Sequence, residues 1–345
     1  MGKKTCKKTG VFMAVLFALA LLFNPLASAA DIEKPADYPE RKIEWNLWYG
    51  PGGGTDIFSR TIGIPARRYL PVPLVIINIP GAAGANAMIY TMEQPANGYT
   101  ITSLGNDLAI NDVQKRAKFK GEALTINDFE PIIRCQYDTA TIQINPDKCK
   151  SRDKPFKDID DVVSFAKENP KTLIIGMTGS AGFDEVVTNM WLDAAGITAK
   201  IVPYDSAGNT HAALLGGHID VMFEEFGPTV SLLEMGKLKA VLVFKNGRVE
   251  DERFNDVPTA PEMGWDVTLG RWRGIGAKKG TSPERIEYLH QIFKKAMDHP
   301  TYKNLEKANL LDLREGYLGP KELKKFIKKE KETFAKVLKK LGYID

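Results

Sequence analysis

From residue 43 onward, short β-rich runs alternate with longer segments of helical character. Neighbouring parallel strands need a crossover connection, usually a helix, so this alternation predicts an α/β fold with largely parallel sheets. The predicted strands are residues 43–48, 74–79, 99–103, 173–177, 219–223 and 239–244, and the predicted helices include residues 56–69, 160–168 and 183–195. In the more helical last third, Ser282 and Pro283 predict the start of another helix.

The chain is too long for one ordinary hydrophobic core. It has 345 residues, and chains of that length usually fold into more than one domain, so we expect two domains. With 43% hydrophobic and 26% charged residues, the composition excludes a disordered chain and a disulfide-dense miniprotein.

Residues 1–29 have the three-part pattern of a secretory signal. Four lysines between positions 3 and 8 precede an apolar run at residues 11–23, and Ala27-Ser28-Ala29 provides small residues for cleavage. The run is short for a bilayer span, so we expect a cleaved signal peptide. No cysteine follows the run where a lipid anchor would need one, which predicts a soluble periplasmic protein.

The exported chain is formally neutral. Without the four lysines of the signal, 43 basic residues match 43 acidic ones. A neutral chain lacks the cationic surplus that drives binding to phosphate backbones, so no nucleic-acid partner is expected. The lysine-rich residues 321–340 carry apolar residues at helical spacing, which predicts a solvated amphipathic helix.

Two cysteines, Cys135 and Cys149, remain after the signal. An oxidising compartment would allow them to pair, but spacing does not determine the required geometry, and the disulfide stays open. The four histidines form no HExxH or paired-ligand pattern, so neither a metal nor a cofactor is expected.

Three glycine-rich segments each follow a predicted strand and precede a helical pattern. They are Gly50-Pro51-Gly52-Gly53-Gly54-Thr55-Asp56, Pro80-Gly81-Ala82-Ala83-Gly84-Ala85-Asn86 and Thr178-Gly179-Ser180-Ala181-Gly182. Glycine lets the backbone approach a ligand and turn its N–H groups outward, and the following helix adds the positive end of its dipole. One such loop alone is better explained as a tight turn, but three at the carboxyl edge of strands favour an anion site.

Enzyme motifs are absent or misspaced. No Gly-Lys-Ser or Gly-Lys-Thr of a P-loop occurs, the segment from Gly52 to Ile57 lacks the third glycine of a dinucleotide fingerprint, and Ser180 lacks the GxSxG spacing of a hydrolase. The adjacent pair Glu224 and Glu225 favours a solvated or hinge-lining role over acid–base chemistry. We therefore expect no enzymatic activity.

An ordered set of motifs resembles the extracytoplasmic (Bug-type) solute receptors of tripartite tricarboxylate transporters. It comprises Gly53-Gly54-Thr55-Asp56, Asn78-Ile79-Pro80-Gly81-Ala82-Ala83-Gly84, Asn97-Gly98-Tyr99-Thr100, Val202-Pro203-Tyr204, Leu215-Gly216-Gly217-His218-Ile219-Asp220 and Asp256-Val257-Pro258-Thr259. Each motif alone is weak, but together they cover nearly the whole exported chain in the family's order.

The resemblance implies a type II periplasmic binding protein fold, in which crossing strands join two α/β lobes around a ligand cleft. Lobe 1 would comprise residues 30–136 and 249–345, and lobe 2 residues 137–248. It further implies a receptor, expected to be a monomer, that captures a small organic carboxylate and delivers it to the membrane subunits of such a transporter. The alternatives are an exported α/β enzyme acting on a small carboxylic acid and a receptor that feeds a sensor.

The same resemblance places the ligand-binding residues on both lobes. Lobe 1 would contribute Pro51, Gly53, Gly54, Thr55, Asp56, Gly81, Ala82, Ala83, Gly84, Asn86, Ser103 and Asn106, and lobe 2 Thr178, Gly179, Ser180, Ala181, Gly182, Asp184, Tyr204, Ala207 and Gly208. Main-chain amides of these loops are expected to grip the acid.

The chain departs from the family pattern after Tyr204. An acidic residue, Asp205, follows where the family often has a cation, which leaves the distal end of the ligand open. Asp205 and Asp184 could favour an amine or hydroxyls beside a carboxylate, although exposed acids are commonly only solvated. Arg271 and Arg273 flank Trp272, and either could pair with a carboxylate or lie on the surface.

Overall fold

The computed structural model describes residues 32–345, so the predicted signal peptide lies outside the described residues. Within them the strands are β1 Ile43–Leu47, β2 Leu74–Asn78, β3 Thr100–Gly105, β4 Lys118–Phe119, β5 Glu122–Ala123, β6 Phe129–Asp138, β7 Ala140–Ile144, β8 Ile174–Thr178, β9 Lys200–Tyr204, β10 Val221–Glu225, β11 Lys239–Val243 and β12 Arg271–Lys278. All six predicted strands are present, with bounds that differ by at most two residues.

Helices follow most of the strands. They are α1 Gly54–Tyr69, α2 Ala85–Glu93, α3 Asn106–Val113, α4 Ile159–Glu168, α5 Phe183–Ala195, α6 Ala207–Gly216, α7 Phe226–Glu234, α8 Pro283–Asp298, α9 Pro300–Ala308 and α10 Pro320–Lys340. Side chains cap several of them: Asp158, Ser206 and Ser282 each accept a hydrogen bond from a backbone N–H in the first turn. The predicted start of α8 at Ser282 and Pro283 is confirmed.

Two five-stranded sheets form the frame of the molecule. The first has the order β2-β1-β3-β12-β6 and the second β11-β7-β10-β8-β9. The strands β2, β1 and β3 of the first sheet are parallel, as are β10, β8 and β9 of the second. The remaining neighbours in each sheet are antiparallel. The prediction of largely parallel sheets therefore holds for only half of each. β6 ends in the first sheet at Asp138 and β7 begins in the second at Ala140, which makes Thr139 the crossing point.

The C-terminal helix α10 packs against the cores of both sheets. Leu323 and Ile327 join the apolar cluster of the first sheet, whereas Phe334 and Leu338 join that of the second. The other face of the helix carries exposed lysines, as the amphipathic pattern predicts. Apolar residues within 249–257 also pack beside the second sheet, and the predicted lobe boundaries stay a prediction.

Glu330 is a buried carboxyl group in the middle of α10. Its Oε1 accepts a hydrogen bond from Asn106 Nδ2 at 2.7 Å, and its Oε2 accepts one from Trp272 Nε1 at 2.7 Å. Burial raises the pKa of Glu330 to about 8 despite these two donors. The group therefore binds a proton in the folded state over much of the neutral range.

Glu330→Gln is expected to make the free energy of unfolding less dependent on pH. The unfolded chain releases this proton near the ordinary glutamate pKa, so the wild type loses stability as pH rises from about 4.5 to about 8, at roughly 1.4 kcal/mol per pH unit for one such group. Urea unfolding between pH 5 and pH 8 measures the slope. Glu332→Gln, on the exposed face of α10, should keep the wild-type slope; an unchanged slope in Glu330→Gln would contradict the assignment.

The open question about the cysteines has a structural answer. Cys135 is buried in β6, Cys149 is partly exposed in the loop after β7, and both are free thiols. Burial raises the pKa of the Cys135 thiol well above its usual value.

None of the helices within residues 32–345 combines the length and apolar character needed to cross a membrane.

Candidate functional site

A cavity opens between the two sheets, and its space of about 380 Å³ includes open solvent. Its walls come from the loop before α1, the start of α1, the ends of β8 and β10, the starts of α5 and α6, and strand β12 of the first sheet. The lining residues are Tyr49, Gly53, Gly54, Thr55, Thr178, Asp184, Ala207, Glu224, Glu225, Arg271 and Arg273. A smaller adjoining cavity shares four of these residues and is also lined by Ser103.

Helix α1 points its N-terminus at this cavity. Its first backbone N–H groups, at Gly54 and Thr55, have no partner within the helix, as at every helix start, and both residues line the wall. Asp56 turns away: its carboxylate accepts hydrogen bonds from Gly52 N at 3.0 Å and Arg60 Nε at 2.8 Å. The helix start thus presents a partial positive charge to the cavity.

Helix α6 approaches from the opposite sheet. Ser206 caps it by accepting a hydrogen bond from Asn209 N at 3.3 Å, and Ala207 at its first position lines the cavity. Two helix N-termini, one from each sheet, therefore meet at the same space. Such an arrangement can bind an anion from two sides.

Arg271 and Arg273 form the floor on β12. Alternate residues of a strand point the same way, so both guanidinium groups reach the cavity. Arg271 Nε donates to Glu225 Oε1 at 2.7 Å, and Arg273 Nη2 donates to Glu225 Oε2 at 3.0 Å. Arg271 also forms an ion pair with Asp184 of α5. These contacts bridge the first sheet to elements of the second.

Two more buried carboxylates contact the same arginines. Asp107 of α3 lies 3.4 Å from Arg271 Nη1 and also accepts hydrogen bonds from Tyr49 Oη at 2.6 Å and from Phe183 N, the first N–H of α5, at 2.9 Å. Asp138 lies 3.3 Å from Arg273 Nη1. The N-terminus of α5 is thus occupied by a carboxylate of the protein itself.

The carboxylates around the arginines have divergent pKa values. Burial would raise the pKa of Glu225, but the guanidinium groups of Arg273 and Arg271 hold it below its usual value. Burial raises the pKa of Asp184 and that of Asp138 to about 7, and the negative charge of Glu225 adds to the rise in both. At neutral pH Glu225 is therefore ionised, whereas Asp184 and Asp138 are each partly protonated.

Glu224 adds a further buried acid beside Glu225. Its Oε2 lies 2.8 Å from His211 Nε2, and its Oε1 accepts a hydrogen bond from Glu225 N at 3.0 Å. Burial raises the pKa of Glu224 despite the histidine. Neither glutamate is solvated, so of the two roles weighed from the sequence only the lining role fits.

Six of the residues predicted for ligand binding line the main cavity, and Ser103 lines the adjoining one. The six are Gly53, Gly54, Thr55, Thr178, Asp184 and Ala207. Ser103 is 3% exposed, and its Oγ has no hydrogen-bond partner within residues 32–345. Their roles in binding stay a prediction.

The other predicted residues lie outside these walls. Pro51, Gly81, Ala82, Asn86, Ser180 and Gly208 are exposed; Gly84 packs on Trp48; Tyr204 packs among apolar residues; Asp56 and Asn106 bind neighbouring protein groups; and Ala83, Gly179, Ala181 and Gly182 lie in loops held by internal contacts.

Two main-chain amides of the third glycine-rich loop are engaged within the protein. Gly179 N donates to Tyr204 O at 2.8 Å, and Ala181 N donates to Glu185 Oε2 at 2.6 Å. In this arrangement the loop reaches the cavity through Thr178, and these two amides are turned to the protein's own oxygens.

Comparisons with known proteins agree with the two-lobed architecture. The model of the family described as "Tripartite tricarboxylate transporter family receptor" matches residues 58–343. The UPF0065 protein in the gbd 5′ region of Cupriavidus necator is 27% identical over 333 residues, which cover 95% of this chain and 94% of that protein.

Two solved structures share the fold. A TctC solute-binding protein from Polaromonas is 26% identical, with a TM-score of 0.65 over 88% of this chain and 99% of that one. MatC from Rhodopseudomonas palustris with bound malate is 22% identical, with a TM-score of 0.75 over 87% of this chain and 100% of its own. The type II periplasmic binding protein fold is thereby confirmed, and the chain belongs to the receptor family of the tripartite tricarboxylate transporters.

Proposed function

We propose that this protein is a periplasmic receptor that captures a small organic carboxylate between its lobes and delivers it to the membrane subunits of a tripartite tricarboxylate transporter. It reaches the periplasm through a cleaved signal peptide, residues 1–29, and it has no enzymatic activity. The lobes are residues 30–136 with 249–345, and residues 137–248.

One observation carries this proposal: the N-termini of α1 and α6, from opposite sheets, meet at a cavity that also contains Arg271 and Arg273. A carboxylate is one of the small anions that such amides and guanidinium groups bind by charge-assisted hydrogen bonds. MatC, which shares the fold, holds malate, and this supports a carboxylate ligand.

Closure of the lobes gives the receptor its signal. A ligand that touches both walls binds the closed arrangement more tightly than the open one, and only this difference in affinity can shift the population toward the closed form. Arg271 and Arg273 bond Glu225 across the sheets, so the protein's own charges already favour closure. The ligand has to add to this preference for the membrane subunits to distinguish the loaded receptor.

A thermal-shift screen of mono-, di- and tricarboxylates and amino acids tests the proposal. A ligand at one hundred times its dissociation constant should stabilise the native state by about 2.7 kcal/mol. Inorganic sulfate at the same concentration serves as the control for nonspecific anion effects and should give a much smaller shift. The proposal fails if no carboxylate stabilises the protein more than sulfate, or if a carboxylate that binds is chemically converted during incubation.

A further inference from the structure

The cavity between the sheets contains more acidic than basic side chains. Asp184, Glu224 and Glu225 line it beside Arg271 and Arg273, and two more buried carboxylates contact these arginines from outside the cavity. Four carboxylates thus share two guanidinium groups, and the fifth, Glu224, contacts His211. Buried negative charge without a partner is costly, so such a site gains from a ligand that brings positive charge.

We propose that the solute carries an ammonium group as well as a carboxylate, and that Asp184 and Glu224 bind the ammonium. The inference rests on the proposed function, because the same cavity has to hold the carboxylate. It specifies the class of solute as an amino acid or a closely related zwitterion.

The hydrogen bonds distinguish these two acids from Glu225. Glu225 uses both oxygens on arginines, at 2.7 and 3.0 Å. Asp184 bonds Arg271 through Oδ1, and no donor within residues 32–345 reaches its Oδ2. Glu224 contacts His211 and one backbone N–H, and each of its oxygens can accept a second hydrogen bond. An ammonium group has three donors to offer to such oxygens.

The donors for the carboxylate lie toward the first sheet. Arg273 is 5% exposed and lines the cavity, and its Nε has no hydrogen-bond partner within the described residues. Ser103 Oγ, in the adjoining cavity, is a second buried group without a partner. Together with the N-terminus of α1, these groups offer N–H and O–H donors where a carboxylate would lie.

A zwitterion would therefore span the two lobes, with each of its charges facing groups of opposite charge. Its carboxylate would contact the N-terminus of α1 and Arg273, and its ammonium would contact acids of the second lobe. A dicarboxylate in the same pose would place its second negative charge against Asp184 and Glu224. It would bind the protonated form of these acids, so its affinity should fall as the pH rises above the pKa of Asp184, which burial raises to about 7.

Matched pairs of ligands test the proposal on the exported protein. Aspartate and succinate, glutamate and glutarate, and γ-aminobutyrate and butyrate differ only by the amino group, and calorimetry at pH 8 gives the affinity of each. We expect at least one amino acid to bind at least tenfold more tightly than its amine-free partner. If the amine-free acid binds more tightly in every pair that binds, the ammonium site is overturned while the proposed function stands. If the whole carboxylate screen fails, both are overturned.

Variants locate the ammonium site. Asp184→Asn should lower the affinity for the amino acid at least tenfold while it leaves or raises the affinity for the amine-free partner. Asp205→Asn, an exposed acid of the same lobe, should change neither. Equal losses for both members of a pair would indicate a purely structural role and overturn the assignment. Glu224→Gln provides the same comparison if circular dichroism shows that Asp184→Asn does not fold.

Discussion

Arg271→Met is expected to lower the free energy of unfolding by about 3–5 kcal/mol, the cost of removing one partner from a buried ion pair. Arg271 contacts Asp184, Glu225 and Asp107, all of which are buried. Methionine is similar in length but leaves these carboxylates without their cation. Urea unfolding at pH 8 measures the loss.

Lys294→Met provides the matched control. Lys294 pairs with Asp298 one turn away on α8 and lies 5.0 Å from the centre of the Tyr317 ring; the two charged side chains are 37% and 57% exposed, so its loss should cost less than about 1 kcal/mol. The destabilisation of Arg271→Met should shrink at pH 5, because the orphaned carboxylates can then take up protons. A loss near that of the control, or one independent of pH, would show that Arg271 does not compensate buried charge.

The sequence predicted the repeating part of the fold well and the crossing part poorly. The six predicted strands lie next to helices, where alternation provides a signal. β6, β7 and β12 were not among them, nor were the short β4 and β5, nor β9, which lies between α5 and α6. β6 and β7 are buried at nearly every position, so they do not show the alternation of buried and exposed residues that predicts a strand. β12 contains two glycines, which are rare in strands, and its pairing with β6 has two register shifts.

The sequence predicted part of the cavity lining, and the binding roles of these residues stay a prediction. The glycine-rich loop before α1 is recognisable because helix starts leave a local signature, and Gly54 and Thr55 line the cavity. Glu224 and Glu225 lie outside the predicted strand, which ended two residues early, so the sequence left open whether this pair is solvated or lines the hinge. Arg271 and Arg273 lie on β12, which pairs with strands more than one hundred residues earlier in the chain. Their contacts with acids of the second sheet therefore follow from the three-dimensional structure and have no local signal in the sequence.

Gly54 has little room for a side chain because it lies against Arg273. A Cβ at this position would be 2.2 Å from Arg273 Nη2 and 2.8 Å from Cζ. The guanidinium group cannot retreat freely, since it is buried and bonded to Glu225 and Asp138. A methyl group here must therefore displace the arginine from the cavity wall or push α1 outward.

We expect Gly54→Ala to lower the affinity for the best carboxylate of the thermal-shift screen by about tenfold or more, equivalent to at least ~1.4 kcal/mol. Gly53→Ala is the matched control in the same loop: the nearest atom to its Cβ is Gly50 O at 3.9 Å, and its φ of −81° suits any residue. Calorimetric titration of both variants gives the comparison. Because the two substitutions add the same methyl group one residue apart, a general effect of stiffening the loop should appear in both, whereas displacement of Arg273 should appear only in Gly54→Ala. Equal affinities in the two variants would mean that Arg273 does not contact the ligand.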